Sequence, residues 1–401
     1  MKFSLGHIPA WVLLPSLLAC SMSPGREPDF SRVDKLLTTA VKEGAFPGCA
    51  ATAGSSSGSY WSGGFGSLAL DRKTAAKLSL SATATPGSKT LYDLASLTKV
   101  IGTTSVIAAL IQEKKLSLRD TVASRLPAFA PSSLKKEARA LKKKVTVEQL
   151  LLHTSGLPGW RPLYETCKSY KKLLKAVLET PLEAKPGSRY RYSDLGFILL
   201  GEIAAKAGGK SLATLEKELV FDPLGMKNTL RNPTATRKSR IAPTELDKET
   251  KIYIHGQVHD ENARAGQGLT GHAGLFSTTT DLSRLARELL LALKGKSRKL
   301  DRKVIENFIR CKDTPKGSSR ALGWDTPSEK SSAGELASRK SFGHTGFTGT
   351  SIWIDPENDL YIILLSNRVH PSRANRKIRE VRSALADEVV TALMKTRKKA
   401  R

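Results

Sequence analysis

The sequence predicts an α/β chain of the α+β kind, an antiparallel sheet flanked by helices and interrupted by a helical insertion. Three observations carry this. Each end of the chain pairs a helix-periodic stretch with strand-like stretches. The middle is mainly helical. The 401 residues are 40% hydrophobic and 25% charged, an ordinary globular balance that excludes a mainly disordered chain. A sheet drawn from about 30–95 and 320–395, with an insertion over about 96–315, accounts for that order.

The elements follow in turn. Phe30, Val33, Leu36, Leu37, Ala40 and Val41 recur at helical spacing, and Gly44 with Pro47 ends the run. Cys49 to Ala53 and Tyr60 to Phe65 read as strands around a turn over Gly54 to Gly58. Thr74 to Lys89 is polar and small and reads as a loop. Leu94 to Gln112 is apolar or small on nearly every face, so it reads as a helix buried on all sides. Lys99 and a hydroxyl-rich middle argue against a membrane span there.

Helices and loops fill Leu116 to about Arg310. Thr146-x-x-Gln149 has capping-box spacing and opens a short helix, Val147 to Leu152. Tyr192 to Lys206 reads as a turn entering a helix, and Asp281 to Leu293 is amphipathic. Ser341 to Ile354 and Leu360 to Ser366 return to strand, joined by the turn Asp355-Pro356-Glu357-Asn358-Asp359. Arg373 to Lys395 closes the chain as a helix.

The N-terminus reads as an export signal. Lys2 supplies a positive start, and Ile8 to Ala19 is mostly apolar but too short to span a bilayer. It ends Leu17-Leu18-Ala19-Cys20, which resembles a bacterial lipobox. The expected layout is a signal peptide over 1–19, a lipidated tether over 20–29 with Cys20 acylated, and one domain over 30–401. Ser21 after the cysteine favours the outer membrane in a Gram-negative cell, facing the periplasm. Cys49, Cys167 and Cys311 then remain, enough for at most one disulfide.

The formal charge is +28, from 65 Lys+Arg against 37 Asp+Glu. The excess concentrates modestly in Lys135 to Lys144, in Lys168 to Lys175 and in the tail from Lys395. No nucleic-acid-binding motif accompanies it, so no nucleic-acid partner is expected. Anionic envelope polymers or lipids suit it better.

Ser96-x-x-Lys99 carries the chemistry. It sets a hydroxyl and an amine one helical turn apart. A serine needs a base to become a nucleophile, and a lysine serves if burial lowers its pKa. The same spacing occurs at Ser132 and Lys135, Ser133 and Lys136, and Ser169 and Lys172, but in lysine-rich, solvated stretches. Only Ser96 has apolar surroundings. Tyr192-Ser193-Asp194 and His344-Thr345-Gly346 follow in order.

Ser-x-x-Lys, Tyr-x-Asn/Asp and Lys/His-Thr-Gly in that sequence resemble the serine penicillin-recognising enzymes, class C β-lactamases and their esterase and peptidase relatives above all. Connecting segments agree, among them Leu91 to Lys99, His153 to Pro158, Asp222 to Met226 and Gly271 to Ser277. The likeness runs from about Phe30 to about Leu393. It implies a β-lactamase/DD-peptidase-like fold and an acyl-enzyme at Ser96, with Lys99 and Tyr192 sharing the proton. The N–H groups of Ser96 and Phe347 would form the oxyanion hole. Asp194, His344, Thr345 and Gly346 would bind substrate, and no cofactor or metal is required.

Two departures bear on substrate. His344 stands where many relatives place a lysine facing the substrate carboxylate, and a histidine is charged only in part near neutral pH. Asp194 replaces an asparagine and cannot donate to a substrate carbonyl. Gly256 to Ala263, taken with Gly271-His272-Ala273-Gly274, resembles the serine-type N-acetylmuramoyl-L-alanine amidases of the same superfamily, with His259 and Asp260 expected in the cleft. Peptidoglycan fragments are the first choice of substrate. A β-lactamase, a D-Ala-D-Ala carboxypeptidase or an esterase is the alternative, and a non-catalytic peptidoglycan binder is the alternative of another class. His255 and His259, four apart, also admit a zinc reading, which no helix pattern supports. His153 is expected to brace a helix end.

Overall fold

The computed structural model describes residues 28–81, 84–329 and 331–399. The expected signal segment and Cys20 lie outside the described residues.

Five strands form the main sheet. They are β1 (Gly48–Gly54), β2 (Ser59–Gly66) and, from the far end of the chain, β6 (Phe342–Thr345), β7 (Ser351–Asp355) and β8 (Leu360–Ser366). The order is β2-β1-β8-β7-β6, and every pairing is antiparallel. β1 meets β8 in the register Cys49↔Ser366 to Gly54↔Tyr361, which stitches the two chain ends together.

Both faces of β8 are buried, so its sequence is continuously apolar rather than alternating. Leu360, Ile362 and Leu364 turn to one face with Ala51 and Ala53, and pack on Leu37, Leu385 and Val389. Those partners come from the helices Ser31–Lys42 and Ile378–Lys399. Tyr361, Ile363 and Leu365 turn to the other face and join the larger core, with Leu282, Leu285 and Leu289 of the Thr279–Leu293 helix.

A second sheet is small. β3 (Tyr92–Asp93) pairs with β5 (Leu275–Ser277), which pairs with β4 (Leu230–Arg231). β4 and β5 come from the stretch that reads as helical in sequence. They are too short for a periodic signal.

Elsewhere the expected elements need local correction. Arg72–Lys77 is helical, capped by the Asp71 side chain on the Thr74 N–H, so the expected loop starts later. The Ser341 to Ile354 stretch is two strands, broken by the turn that carries Gly346 and Phe347. The last helix begins at Ile378, not Arg373. The Thr146 and Gln149 capping box is present in both directions. No helix among the described residues is long and apolar enough to cross a membrane. Cys49, Cys167 and Cys311 are all free thiols.

Candidate active site

Ser96 does not sit within a helix. Leu94 to Ser96 form a turn at the end of β3, and Ala95 holds a left-handed φ of 46°. Asp93 makes the turn possible: one carboxylate oxygen accepts the Ala95 N–H at 2.8 Å, the other the His259 N–H at 2.6 Å. The helix then runs as a π-turn, Lys99–Thr104, before Ser105–Gln112 becomes regular. The expected helix over Leu94 to Gln112 is therefore shorter at its start and widened at Lys99.

Lys99 is fully buried. Its ammonium donates to Ser96 Oγ at 3.0 Å and to the His272 carbonyl at 3.0 Å, and lies 2.7 Å from Asp194 Oδ1. Burial alone would lower its pKa, but the Asp194 carboxylate and Tyr192 outweigh that, and the pKa is held above the usual lysine range. Contrary to the expectation from sequence, burial alone does not decide the direction of its pKa: the Asp194 carboxylate beside it favours the ammonium form. The same ion pair also corrects Asp194, whose carboxylate is committed to Lys99.

Tyr192 precedes the Asp194–Gly208 helix, which the Ser193 side chain caps on the Gly196 N–H. His153 positions that entry. Its Nδ1 accepts the Ser193 N–H at 3.0 Å, its carbonyl accepts the Arg191 N–H, and its ring lies 4.4 Å from the Tyr192 ring. His153 thus braces a helix start, as expected, and through it the candidate base. Burial, then Arg320 and Lys99, push its pKa well below the usual histidine value.

Phe347 follows β6 on the opposite wall. Thr348 and Thr350 donate their hydroxyls to the carbonyls of Asp93 and Leu94 at 2.7 and 3.0 Å, tying this turn to the Ser96 turn. Gly346 is packed so closely on Thr350 and the Leu94 carbonyl that a Cβ would not fit. Among the described residues, neither the Ser96 nor the Phe347 N–H donates to a main-chain carbonyl. Both remain available to an oxyanion.

Ser96, Tyr192, His344, Thr345, Gly346 and Phe347 line one cleft of about 510 Å³. His344 is buried, and its Nδ1–H donates to the Thr345 carbonyl at 2.8 Å. That leaves Nε2 as an acceptor, without a protein partner. Burial, then Arg320 and Lys99, push the His344 pKa well below the usual value. His344 is therefore neutral near pH 7, where the sequence allowed partial charge.

His259 is not among the cleft-lining residues. Its Nε2–H donates to Glu245 at 3.0 Å, and its ring stacks on Phe347 with centroids 5.8 Å apart. It packs on the turn that carries Phe347, and the structure does not bring it into the Ser96 cleft. Asp260 caps the Glu261–Ala265 helix and accepts from His272 Nε2 at 2.8 Å. It is not among the residues lining the Ser96 cleft. His255 bonds the Ile241 carbonyl, so it does not converge with His259 on a metal. Possible ligand atoms of Asp194, Asp260 and His272 lie within 4.8 Å of one another, but the Lys99 ammonium already supplies the positive charge there.

Sequence reasoning gave no role to Asp93 or Arg320 and did not foresee the His272 contact with Lys99. Asp93 is an acid inside an apolar run, which is a signal of a structural cap. His272 acts on Lys99 through its carbonyl, which no side-chain pattern reveals.

The comparisons with known proteins speak to family and fold. The model of the beta-lactamase family matches residues 33–386. A protein of Salmonella typhi named "Putative D-alanyl-D-alanine carboxypeptidase" is 34% identical over 315 residues, 72% of each chain. EstCE1, a hydrolase described as having promiscuous acyltransferase activity, superposes with a TM-score of 0.70 at 20% identity, covering 89% of this chain and 97% of its own. A penicillin-binding protein homologue from Caulobacter crescentus does so at 0.69 and 20%, covering 90% and 97%. At such identities the structural likeness speaks to the fold alone. The family model and the Salmonella relative extend it: the chain belongs to the beta-lactamase family and is a serine hydrolase of that family.

Proposed function

We propose that the chain is an envelope lipoprotein, anchored through Cys20, that cleaves amide bonds in peptidoglycan-derived fragments through an acyl-enzyme at Ser96. The observation that carries the chemistry is the Lys99 ammonium. It donates to Ser96 Oγ while Asp194 holds it charged. A cation there stabilises a developing alkoxide, and Ser96 keeps its own O–H free to give up.

Ser96 Oγ attacks the substrate carbonyl carbon and gives its proton to Tyr192, which enters the cycle as the phenolate, facing the Lys99 ammonium that lies 5.0 Å from its ring centroid. The Ser96 and Phe347 N–H groups hold the oxyanion. The C–N bond breaks, and the leaving amine takes the proton from Tyr192. Water then adds to the acyl ester, gives its proton to Tyr192 and releases the acid as Ser96 regains a proton.

Neutral His344 and acidic Asp194 speak against efficient β-lactam hydrolysis, since neither offers a donor cation or amide to that substrate. A D-Ala-D-Ala carboxypeptidase is the second reading, and the name of the Salmonella relative favours it. Digests of muropeptides with the wild type and Ser96→Ala, followed by mass spectrometry, separate the two. Loss of a stem peptide from the sugar supports the amidase, and release of terminal D-alanine the carboxypeptidase. Intact muropeptides in both digests contradict both readings. Lipidation is checked by palmitate labelling that Cys20→Ala abolishes.

A further inference from the structure

The Ser96 cleft continues past Phe347 into an arm that ends at the start of the Ile378–Lys399 helix. Arg320, Arg368, Arg373, Arg376, Arg379 and Arg382 line the cleft and this arm together, against a single acidic lining residue, Asp325. Two arginines are compensated. Arg320 lies 3.5 Å from Asp325, and Arg373 bonds Glu245 and Glu261 at 2.5 and 2.6 Å.

Among the described residues, the other four have no carboxylate within ion-pair distance. Arg368 donates to the carbonyls of Phe347, Arg373 and Asn375, and Arg382 to those of Gly346 and Thr350. Carbonyls satisfy N–H donors but leave the charge uncancelled. The buried Nε of Arg382 has no partner. Burial, then Arg379 and Arg376, lower the Arg368 pKa; burial, then Arg368 and Arg379, lower that of Arg382 to about 9. Ile378 lines the arm as well, so the positive end of a 22-residue helix adds to the same field. Like charges gathered without counter-charge cost free energy unless an anion joins them.

We infer that this arm is a subsite for a doubly charged anionic group on the substrate, with Arg376 and Arg379 at the exposed rim and Arg368 and Arg382 behind them. The inference rests on the acyl-transfer reading of Ser96. A lone carboxylate would cancel one of the four charges. A dicarboxylate or a phosphate monoester carries two and can engage two guanidinium forks at once.

Calorimetric titration of the Ser96→Ala chain tests this with three probes: the monoanion N-acetyl-D-alanine and the dianions N-acetyl-D-glutamate and N-acetyl-O-phosphoethanolamine. At least one dianion should bind about tenfold or more tightly than the monoanion, and in an Arg376→Gln/Arg379→Gln background the preference should shrink to about twofold or less. Both arginines are exposed, so the fold does not depend on them; matching unfolding midpoints check that. Preference for both dianions, or for one, supports the subsite, and the second case tells phosphate from dicarboxylate. Equal affinity for all three probes, no measurable dianion binding, or a preference that survives the double substitution overturns it. Fluorophosphonate labelling of the wild type is run alongside. A labelled Ser96 without anion preference removes only this inference, whereas no label removes the acyl-transfer reading beneath it.

Discussion

Lys99 and Asp194 form an ion pair 2.7 Å long, with the lysine side chain wholly excluded from solvent. The pair fixes the division of labour in the site. In the proposed mechanism, Asp194 holds Lys99 as a charged donor to Ser96, and Tyr192 is left to move the proton.

Asp194→Asn should keep the shape and remove the charge. Turnover of a small ester should fall about 100-fold, within the usual range for disrupting general acid–base catalysis. Stability should change in a defined direction. The Lys99 pKa is raised on folding, so its contribution is complete below the ordinary lysine value and is lost as pH climbs through the raised one. The stability of the wild type should fall above roughly pH 10, and Asp194→Asn should flatten that loss. An unchanged alkaline profile would contradict the assignment.

His153 and His344 flank Tyr192, with ring centroids 4.4 and 6.0 Å away. Both have pKa values pushed well below the usual one by burial, then by Arg320 and Lys99. The unfolded chain takes up these protons near pH 6.5, and the folded chain does not. Their contribution is therefore complete above that pH and declines as pH falls below it. The unfolding midpoint should drop between pH 7 and pH 5, and less so in a His153→Gln/His344→Gln double variant. Equal drops in both proteins would show that other groups govern acid sensitivity.

Arg231 and Glu216 make a second buried pair, joined by two hydrogen bonds of 2.7 and 2.8 Å. Arg231 also donates to the carbonyls of Gly268, Thr270 and Ala273, which shape the loop that presents His272 to Lys99. Removing one partner strands the other, so Arg231→Met should cost about 3–5 kcal/mol in chemical denaturation. A loss below about 1 kcal/mol, the level of a surface pair, would contradict that.

The site's outline was legible because its chemistry lies in side chains at fixed short spacings. Ser96 and Lys99, Tyr192, and His344 to Phe347 all converge, and the strands at both chain ends form one sheet. What escaped the sequence depends on contacts between distant segments. Whether burial or a counter-ion decides the charge of Lys99 is set by Asp194, 95 positions away and unreadable as its partner from spacing alone. His259 and Asp260 read as cleft residues because polar clusters often are; in the fold their partners are Glu245, Phe347 and His272. The small sheet was invisible because strands of two and three residues carry no periodicity.

His259 stacks on Phe347, so in the proposed mechanism it acts on the oxyanion turn rather than on any one substrate. His259→Ala should lower kcat for a small ester and for a muropeptide by the same factor, about tenfold, with KM little changed. A larger loss on the muropeptide, seen as a rise in KM, would return His259 to substrate contact.

The central claim is that Ser96 is an activated nucleophile. Intact-protein mass spectrometry of the chain from Ser21 onward, treated with a fluorophosphonate probe, measures this directly beside a Ser96→Ala control. The account predicts one adduct on the wild type and none on the variant. A folded wild-type protein that gains no adduct, or a variant that keeps it, would contradict the account.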